Sequence, residues 1–347
     1  MSGPPIRSVA VAVAMRASLR GRAVHRARLG LVVVATAVLL GACGGTTPAG
    51  SAPMAAPDVV PKGAQIVHPA PPIRASSCNA TASVPPPATM PAPGRMPAGS
   101  YMAQIQARGY LKVGVDQNTY LWGYRDPVTG QLTGFDIALL QQVSQAIFGS
   151  PDHIRYVIVP NAERVRAVAD GQVDIVAETM TINCEREKSV DFSTVYYQAG
   201  QRILVPANST ITGPQDLGGK RVCATNGSTS LRNLVAPGMP RNITLWGVNN
   251  ETDCLVMLQQ GQVDAISTDD AILLGLAAQD PNTKVVGPTF SSEPYGMAVS
   301  KGHSDFTSFV NGVLAAVRYD GAWTQIYNTW LAPYTGATPP PPAASYR

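Results

Sequence analysis

The chain has 347 residues, of which 45% are hydrophobic and 14% charged, and its formal net charge at pH 7 is +4. Six arginines precede Cys43 and no acidic residue does, so removing six positive charges from +4 leaves −2 for the rest. This balance gives no electrostatic reason to expect nucleic acid or an anionic lipid surface as a partner. Of the four histidines, only His153 and His303 lie beyond the leader and the proline-rich stretch, and they are far apart. We therefore expect no histidine metal cluster, no catalytic triad and no cofactor.

Residues 1–42 have the pattern of a signal peptide. An arginine-rich start precedes an apolar run from Leu29 to Leu40, which is shorter than the ~20 apolar residues that a transmembrane helix needs. The run ends in Leu-Gly-Ala-Cys, with small residues before Cys43, as in a lipoprotein cleavage site. Cys43 is therefore the predicted lipidation site, and the protein is expected to work outside the cytoplasmic membrane of a bacterium, tethered to it. The alternative is a plain secretory signal with an incidental cysteine.

Residues 43–100 are predicted to form a disordered tether. Between Gly44 and Ser100 there are thirteen prolines, many Ala, Gly, Ser and Thr residues and almost no aromatic ones. Such a segment cannot bury enough apolar surface to fold by itself, and its reach as a random coil is ~40 Å. A second proline-rich patch predicts a disordered tail over residues 336–347.

Between these segments, short β-branched runs alternate with longer helical patterns, which indicates α/β units. The predicted elements in chain order are a strand over Leu111 to Asp116, a helix over Phe135 to Phe148, a strand over Ile154 to Val159, a helix over Ala162 to Asp170 and a strand over Val173 to Ala177.

The tetrapeptide Gly-Gln-Val-Asp occurs twice, at residues 171–174 and 261–264. Each copy follows a helical pattern and precedes a short apolar run. Glycine at the first position suits a left-handed helix end, and the valine can begin a strand. The repeat predicts two α/β lobes built on similar units.

Four cysteines remain after Cys43, an even number in an oxidising compartment, and they allow three pairings. Cys223 ends a predicted strand and Cys254 opens the helix that leads to the neighbouring strand, so their Cα atoms can approach within ~6 Å. We predict this disulfide, and with it Cys78–Cys184, which requires the tether to fold back onto the first lobe.

The segment from Thr179 to Ser193, TMTINCEREKSVDFS, resembles the signature of the polar amino-acid-binding proteins of ABC transporters, solute-binding protein family 3. The similarity extends from about Leu111 to Trp330, and the overall pattern is similar to that of the lipid-anchored glutamine/glutamate-binding proteins of actinobacteria. It implies a two-lobed periplasmic-binding-protein fold of type II. Lobe 1 would comprise residues 101–203 and 298–335 and lobe 2 residues 204–297, joined by two extended crossings near Val205 and Met297.

The resemblance also implies a function. The protein would be a monomer that captures an acidic amino acid or its amide (glutamate, aspartate, glutamine or asparagine) by lobe closure, and presents it to an ABC permease. One alternative is an amino-acid sensor that signals through another membrane receptor. A second is an enzyme, since cyclohexadienyl dehydratases share this fold; the complete amino-acid clamp around Asp269 speaks against it.

By the same resemblance, Arg186 matches the arginine that grips the ligand α-carboxylate, a task that suits the guanidinium fork. Thr179 and Thr181 match positions that line the same site. Ser228 and Thr229, at a helix N-terminus, would close on the carboxylate from the second lobe. The alternatives are a surface ion pair for the arginine and simple helix capping for the hydroxyl residues.

Asp269 matches the acid that binds the ligand ammonium, with its neighbour Asp270 as the helix cap. Arg164 aligns with an arginine that meets a side-chain carboxylate in the acidic-amino-acid branch. Asp116 matches a ligand-contacting position where the acidic binders can carry a basic residue. Three aromatic residues, Tyr120, Trp122 and Tyr124, occupy the stretch where the family places an aromatic wall of the site, with Tyr120 and Trp122 as the predicted ligand contacts. Trp122 could instead belong to the core.

Overall fold

Two β-sheets flanked by helices organise the chain in a computed structural model that describes residues 59–70 and 78–347. The predicted signal peptide and Cys43 lie outside these residues. The strands are β1 (Gln65–Ile66), β2 (Leu111–Val115), β3 (Asn118–Thr119), β4 (Gly123–Arg125), β5 (Leu132–Thr133), β6 (Ile154–Ile158), β7 (Ile175–Val176), β8 (Val190–Phe192), β9 (Tyr197–Ala199), β10 (Gln201–Pro206), β11 (Arg221–Thr225), β12 (Thr244–Val248), β13 (Ala265–Asp269), β14 (Thr283–Val286), β15 (Glu293–Tyr295) and β16 (Ala298–Ser300). The helices are α1 (Tyr101–Arg108), α2 (Phe135–Phe148), α3 (Arg164–Ala169), α4 (Thr229–Asn233), α5 (Glu251–Gln259), α6 (Asp270–Gln279), α7 (Ser304–Tyr319), α8 (Ala322–Trp330) and α9 (Ala332–Thr335).

Each sheet belongs to one lobe. Lobe 1 has the strand order β6-β2-β7-β16-β8, and lobe 2 has the order β1-β12-β11-β13-β10-β14. In both sheets three adjacent strands are parallel, namely β6, β2 and β7 in lobe 1 and β12, β11 and β13 in lobe 2. The carboxyl ends of parallel strands meet at one edge of a sheet, which is where open α/β sheets place ligand sites.

The repeated tetrapeptide has the same structure in both lobes. Gly171 and Gly261 both adopt left-handed backbone angles, with φ of 68° and 69°, just after α3 and α5. The carboxylate of Asp174 accepts the Lys112 amide at 2.8 Å, and that of Asp264 accepts the Arg221 amide at 2.8 Å. Each aspartate thus ties its own strand to the start of the neighbouring parallel strand.

The core of lobe 1 is rich in aromatic side chains, and its helix α2 has the predicted bounds. This helix begins after Gly134, whose φ of 128° and contact with the Trp122 carbonyl leave no space for a side chain. Phe135 packs between Trp122 and Trp323, at centroid distances of 5.2 and 5.8 Å. Burying each such side chain contributes roughly 1.5–3 kcal/mol.

The two crossings between the lobes pair with each other as β9 and β15, with Tyr197 opposite Tyr295. The second crossing lies next to Met297, near the predicted position. The first does not lie at Val205, as the sequence suggested, because that residue is fully buried inside β10 of lobe 2. An apolar, extended run has the same sequence pattern in a crossing as in a central strand.

The structure corrects the prediction of a disordered tether for the part of residues 43–100 that it describes. Strand β1 pairs with β12 at the edge of lobe 2, and the Val67 amide donates to the Leu245 carbonyl at 2.9 Å. Ser83 is buried on lobe 1 and donates to the Phe192 carbonyl at 2.6 Å. The segment lacks a core of its own, yet the lobes supply partners for its backbone and small side chains.

The tail prediction is corrected in the same way. Ser83 exchanges backbone hydrogen bonds with the chain end, donating to Ser345 and accepting from Arg347. The Arg318 guanidinium donates to the Pro342 carbonyl at 3.0 Å. Residues 336–347 therefore lie against lobe 1.

Both predicted disulfides are present. Cys223–Cys254 joins β11 to α5 with Cα atoms 5.5 Å apart. Cys78–Cys184 ties the N-terminal segment to lobe 1 with Cα atoms 6.0 Å apart. In the parts of the chain that the structure describes, no helix has the length and apolar character needed to cross a membrane.

Candidate functional site

The candidate site is a narrow cleft between the lobes, formed where the parallel strands end. From lobe 1, Asn161 follows β6 and Thr179 follows β7; from lobe 2, Ser228 follows β11 and Glu251 follows β12, and Asp269 ends β13. The lining residues are Asn161, Arg164, Thr179, Thr181, Ser228, Thr229, Ser230, Glu251, Thr268, Asp269 and Ile272. Six of the residues predicted from the sequence are among them.

Arg186 is buried beside this cleft and connects the two lobes. One terminal nitrogen donates to the Thr181 carbonyl at 2.6 Å in lobe 1, and the other donates to the Gly227 carbonyl at 3.1 Å in lobe 2. Burial, followed by the nearby charges of Arg164 and Arg232, lowers the pKa of Arg186 to about 9. The guanidinium therefore remains a cation at neutral pH. Its contact with a ligand carboxylate stays a prediction.

Thr179 has a left-handed backbone with φ of 43°, which is uncommon for a residue other than glycine. Its amide donates to the Asp136 carboxylate at 2.8 Å. Burial raises the pKa of Asp136 to about 6. This carboxylate, positioned at the start of α2, therefore stabilises the strained turn that carries Thr179 into the cleft.

Ser228 caps α4, because its hydroxyl accepts the Leu231 amide at 3.0 Å and donates to the Thr225 carbonyl at 2.7 Å. The capping alternative therefore holds for its side chain. The preceding Gly227 approaches lobe 1 so closely that a Cβ there would lie 2.5 Å from the Ala162 Cα. Glycine is needed at this turn for the lobes to meet.

Glu293, which the sequence analysis did not identify, receives four hydrogen bonds although its side chain is almost fully buried. One oxygen accepts the hydroxyls of Thr181 at 2.7 Å and Thr229 at 2.8 Å. The other accepts Asn233 at 2.9 Å and Ser291 at 2.6 Å. Donors from both lobes thus converge on one carboxylate of the second crossing. A single acid among polar loop residues carries no periodic signal from which this could be predicted.

Asp269 faces the cleft and accepts Ser230 at 3.1 Å and the Tyr295 hydroxyl at 2.7 Å. Burial raises its pKa well above the usual range, and Glu293 adds to the effect. Asp270 instead accepts the amides of Gly200 at 3.2 Å and Ala271 at 2.8 Å, at the start of α6. The two neighbouring acids therefore differ, because Asp270 binds backbone amides at the helix start whereas Asp269 is directed towards the cleft.

The other end of the cleft contains Arg164 and several acids. Arg164 donates to the carbonyls of Asn161 at 3.0 Å and Glu178 at 2.7 Å, and its Nε lies 4.0 Å from the Glu178 carboxylate. Asn161 donates across the cleft to Glu251 at 2.7 Å. Asp116, at the end of β2, accepts the Thr119 hydroxyl at 2.6 Å.

Four of the ten predicted site residues do not line the cleft. Arg186 and Asp116 lie beside it, where Arg186 donates to Thr181 and the charge of Asp116 acts on Glu251, whereas Trp122 and Tyr120 pack elsewhere. Trp122 is fully buried in the core of lobe 1, where its ring nitrogen donates to the Ala271 carbonyl at 3.1 Å. Tyr120 packs edge-on against Tyr124, and its hydroxyl contacts that of Tyr334 at 2.9 Å. The predicted aromatic wall is therefore wrong, because these rings pack against other aromatic side chains outside the cleft. Within the described ranges, no group of three or more His, Cys, Asp or Glu side chains is arranged to hold a metal ion.

Residues 111–333 match the bacterial extracellular solute-binding proteins, family 3, and the chain belongs to that family. A glutamine-binding ABC transporter protein, GlnH, of Bacillus subtilis is 36% identical over 66% of this chain and 84% of its own length. An L-glutamate/L-aspartate-binding protein of Pseudomonas aeruginosa is 30% identical over 69% of this chain and 81% of its own length.

Solved structures agree with the fold. The solute receptor for L-cysteine of Neisseria gonorrhoeae has a TM-score of 0.64 and 29% identity, over 68% of this chain and 95% of that one. An ancestral arginine-binding protein bound to glutamine has a TM-score of 0.57 and 35% identity, over 65% and 98%. The predicted two-lobed binding-protein fold is thereby confirmed.

Proposed function

We propose that this protein captures an acidic amino acid or its amide between its lobes outside the cell and delivers it to an ABC permease, while Cys43 anchors it to the membrane through lipid. The ligands proposed are glutamate, aspartate, glutamine and asparagine. Relatives named for binding glutamine, and for binding glutamate and aspartate, support this choice.

One observation carries the proposal: a cation, an acid and hydroxyls from both lobes meet at a single buried cleft. Arg186 is a cation beside Thr181, and Asp269 is an acid on the facing lobe. An α-amino acid presents a carboxylate and an ammonium, which need such partners because unpaired buried charge costs several kcal/mol. The hydroxyls of Thr181 and Thr229 lie 3.3 Å apart across the lobes, so lobe closure itself would assemble the site.

Calorimetric titration of the mature, detergent-solubilised protein with each of the twenty amino acids tests the ligand class. We expect binding near micromolar, equivalent to about −8 kcal/mol, for one or more of the four proposed ligands. Arg164, Thr179 and Asp116 would contact the ligand along with the residues proposed to hold its carboxylate and ammonium groups, which are Thr181, Arg186, Ser228, Thr229 and Asp269. Absence of binding by all twenty amino acids would contradict the proposed function.

The anchor and the partner need separate measurements. The mature protein should partition into detergent, and Cys43→Ala should release it from the membrane fraction; retention of the variant would contradict lipidation at this residue. Ligand-loaded protein should co-purify with a permease after cross-linking in the native membrane. Recovery of a membrane sensor in its place would favour the signalling alternative.

A further inference from the structure

The end of the cleft that would hold the ligand side chain has a surplus of carboxylates. Arg164 is the cation of this group, and the acids whose charges act on one another there are Asp116, Asp136, Glu178 and Glu251. All five side chains are at most 8% exposed. Four carboxyl groups therefore surround one guanidinium before any ligand enters.

Glu178 and Glu251 show the effect of placing several buried acids close together. Both oxygens of the Glu178 carboxylate lack a hydrogen-bond partner, and its nearest cation is Arg164 at 4.0 Å. Burial, with the added repulsion of neighbouring acids, raises the pKa of Glu178 well above its usual range and raises that of Glu251 as well. A further carboxylate would add to repulsion that already disfavours the ionised forms.

The hydrogen-bonding groups at this end also differ from those that a carboxylate needs. Glu251 supplies acceptor oxygens to the cleft, while Arg164 supplies donors. An amide has one acceptor oxygen and one NH₂ donor and can satisfy both, whereas a carboxylate has acceptors only. A site built to accept an N–H bond discriminates strongly against an analogue that lacks it, because its buried acceptor is left unpaired.

We propose that the cleft selects an amino acid whose side chain ends in N–H donors, with the amide as the side chain that fits, and disfavours one that ends in a carboxylate. Glu251 is the specificity-determining residue, and Asp116 supports it. This inference rests on the proposed function and narrows its ligands to glutamine and asparagine. The guanidinium of Arg164 is then a donor to the amide oxygen.

Titration of the wild-type protein at pH 7 with glutamine, asparagine, glutamate, aspartate, arginine and lysine is the first test. Glutamine or asparagine should bind at least tenfold more tightly than the matching acid. Tightest binding of arginine or lysine would overturn the choice of the amide, because a cationic side chain would then be the one that fits. Glutamate or aspartate binding as tightly as its amide would overturn the inference while leaving the proposed function intact, and no binding at all would overturn the proposed function.

Variants then test the assigned residue. Glu251→Gln should reduce the ratio of glutamine to glutamate affinity by at least fivefold, mainly because glutamate binds better. Glu163→Gln is the matched control, since it removes one negative charge from an exposed side chain near the cleft and should leave the ratio unchanged. Should Glu251→Gln fail to fold, Asp116→Asn should shift the ratio in the same direction. An unchanged ratio in the folded variants would overturn the assignment.

Discussion

Replacing Glu293 by glutamine tests whether closure of the cleft depends on a carboxylate that does not line it. In the wild type, four donors converge on this side chain, and one of them, Thr181, belongs to the opposite lobe from Thr229 and Asn233. Glutamine keeps the shape but replaces one acceptor oxygen by a donor. Asn233 can only donate through its Nδ2, so the new amide oxygen must face it and the new NH₂ must face the two threonines.

The expected magnitude follows from the bond that spans the lobes. A hydrogen bond to a charged group contributes roughly 1.5–3 kcal/mol and a neutral one roughly 0.5–1.5 kcal/mol, so the bond between Thr181 and the uncharged glutamine is weaker by about 1–1.5 kcal/mol. If that loss falls on the closed conformation alone, the apparent dissociation constant rises by the same free energy, which is roughly 5- to 13-fold. Because Glu293 does not line the cleft, every ligand should weaken by a similar factor.

Isothermal titration with at least two ligands measures this effect, and a distance probe between the lobes reports the closed fraction. Ser291→Ala is the matched control, because it removes a donor to the same carboxylate from the same crossing without spanning the lobes. We expect less than a threefold change for the control. A ligand-dependent effect in Glu293→Gln, or weaker binding with an unchanged closed fraction, would refute the reasoning.

Three further predictions concern the clamp, the pH dependence and a disulfide. Arg186→Ala should weaken all amino-acid ligands alike in calorimetry, since the α-carboxylate is common to them, and unequal losses would place this residue elsewhere in the site. Burial raises the pKa of Asp136 from 3.8 to about 6, so the folded protein binds this proton more tightly and stability falls as pH rises through that window. The free energy of unfolding of Asp136→Asn, measured with urea between pH 4 and 7, should therefore vary less with pH than that of the wild type, by roughly 3 kcal/mol at most. An unchanged dependence on pH would contradict the raised pKa. Replacing Cys223 and Cys254, 31 residues apart, by serine should lower the free energy of unfolding by about 3.5 kcal/mol, and chemical denaturation that finds no loss would count against this.

Sequence patterns correctly predicted those elements whose bounds depend on residues only a few positions away. The bounds of α2 (Phe135–Phe148) agree with the prediction because its apolar spacing and flanking glycines act within a few residues. The Gly-Gln-Val-Asp repeat has the same structure in both lobes for the same reason. The bounds of β2 and β6 were correct to within one residue.

The predictions were wrong where the residues that a segment contacts lie far away in the sequence. The N-terminal segment looked disordered because it has no core, yet Ser83 and Asn311 bond across 228 positions. Trp122 was assigned to the cleft, but it packs against Phe135, Tyr197 and Tyr295. Whether a ring faces a ligand or a core depends on which elements pack against it, and the spacing of residues in one segment does not contain that information.

The sequence by itself determined the two-lobed α/β fold and the family, through its repeated glycine turns and the contiguous motif around Arg186, and it identified six of the residues that line the cleft. The tertiary structure alone decided the role of Glu293, the surplus of buried carboxylates around Arg164 and the pairing of Asn161 with Glu251 across the cleft. The physical reason is that charge and hydrogen-bond satisfaction are properties of the assembled cleft. An acid shows its effect only when folding removes it from water and brings other acids and its donors within a few ångströms.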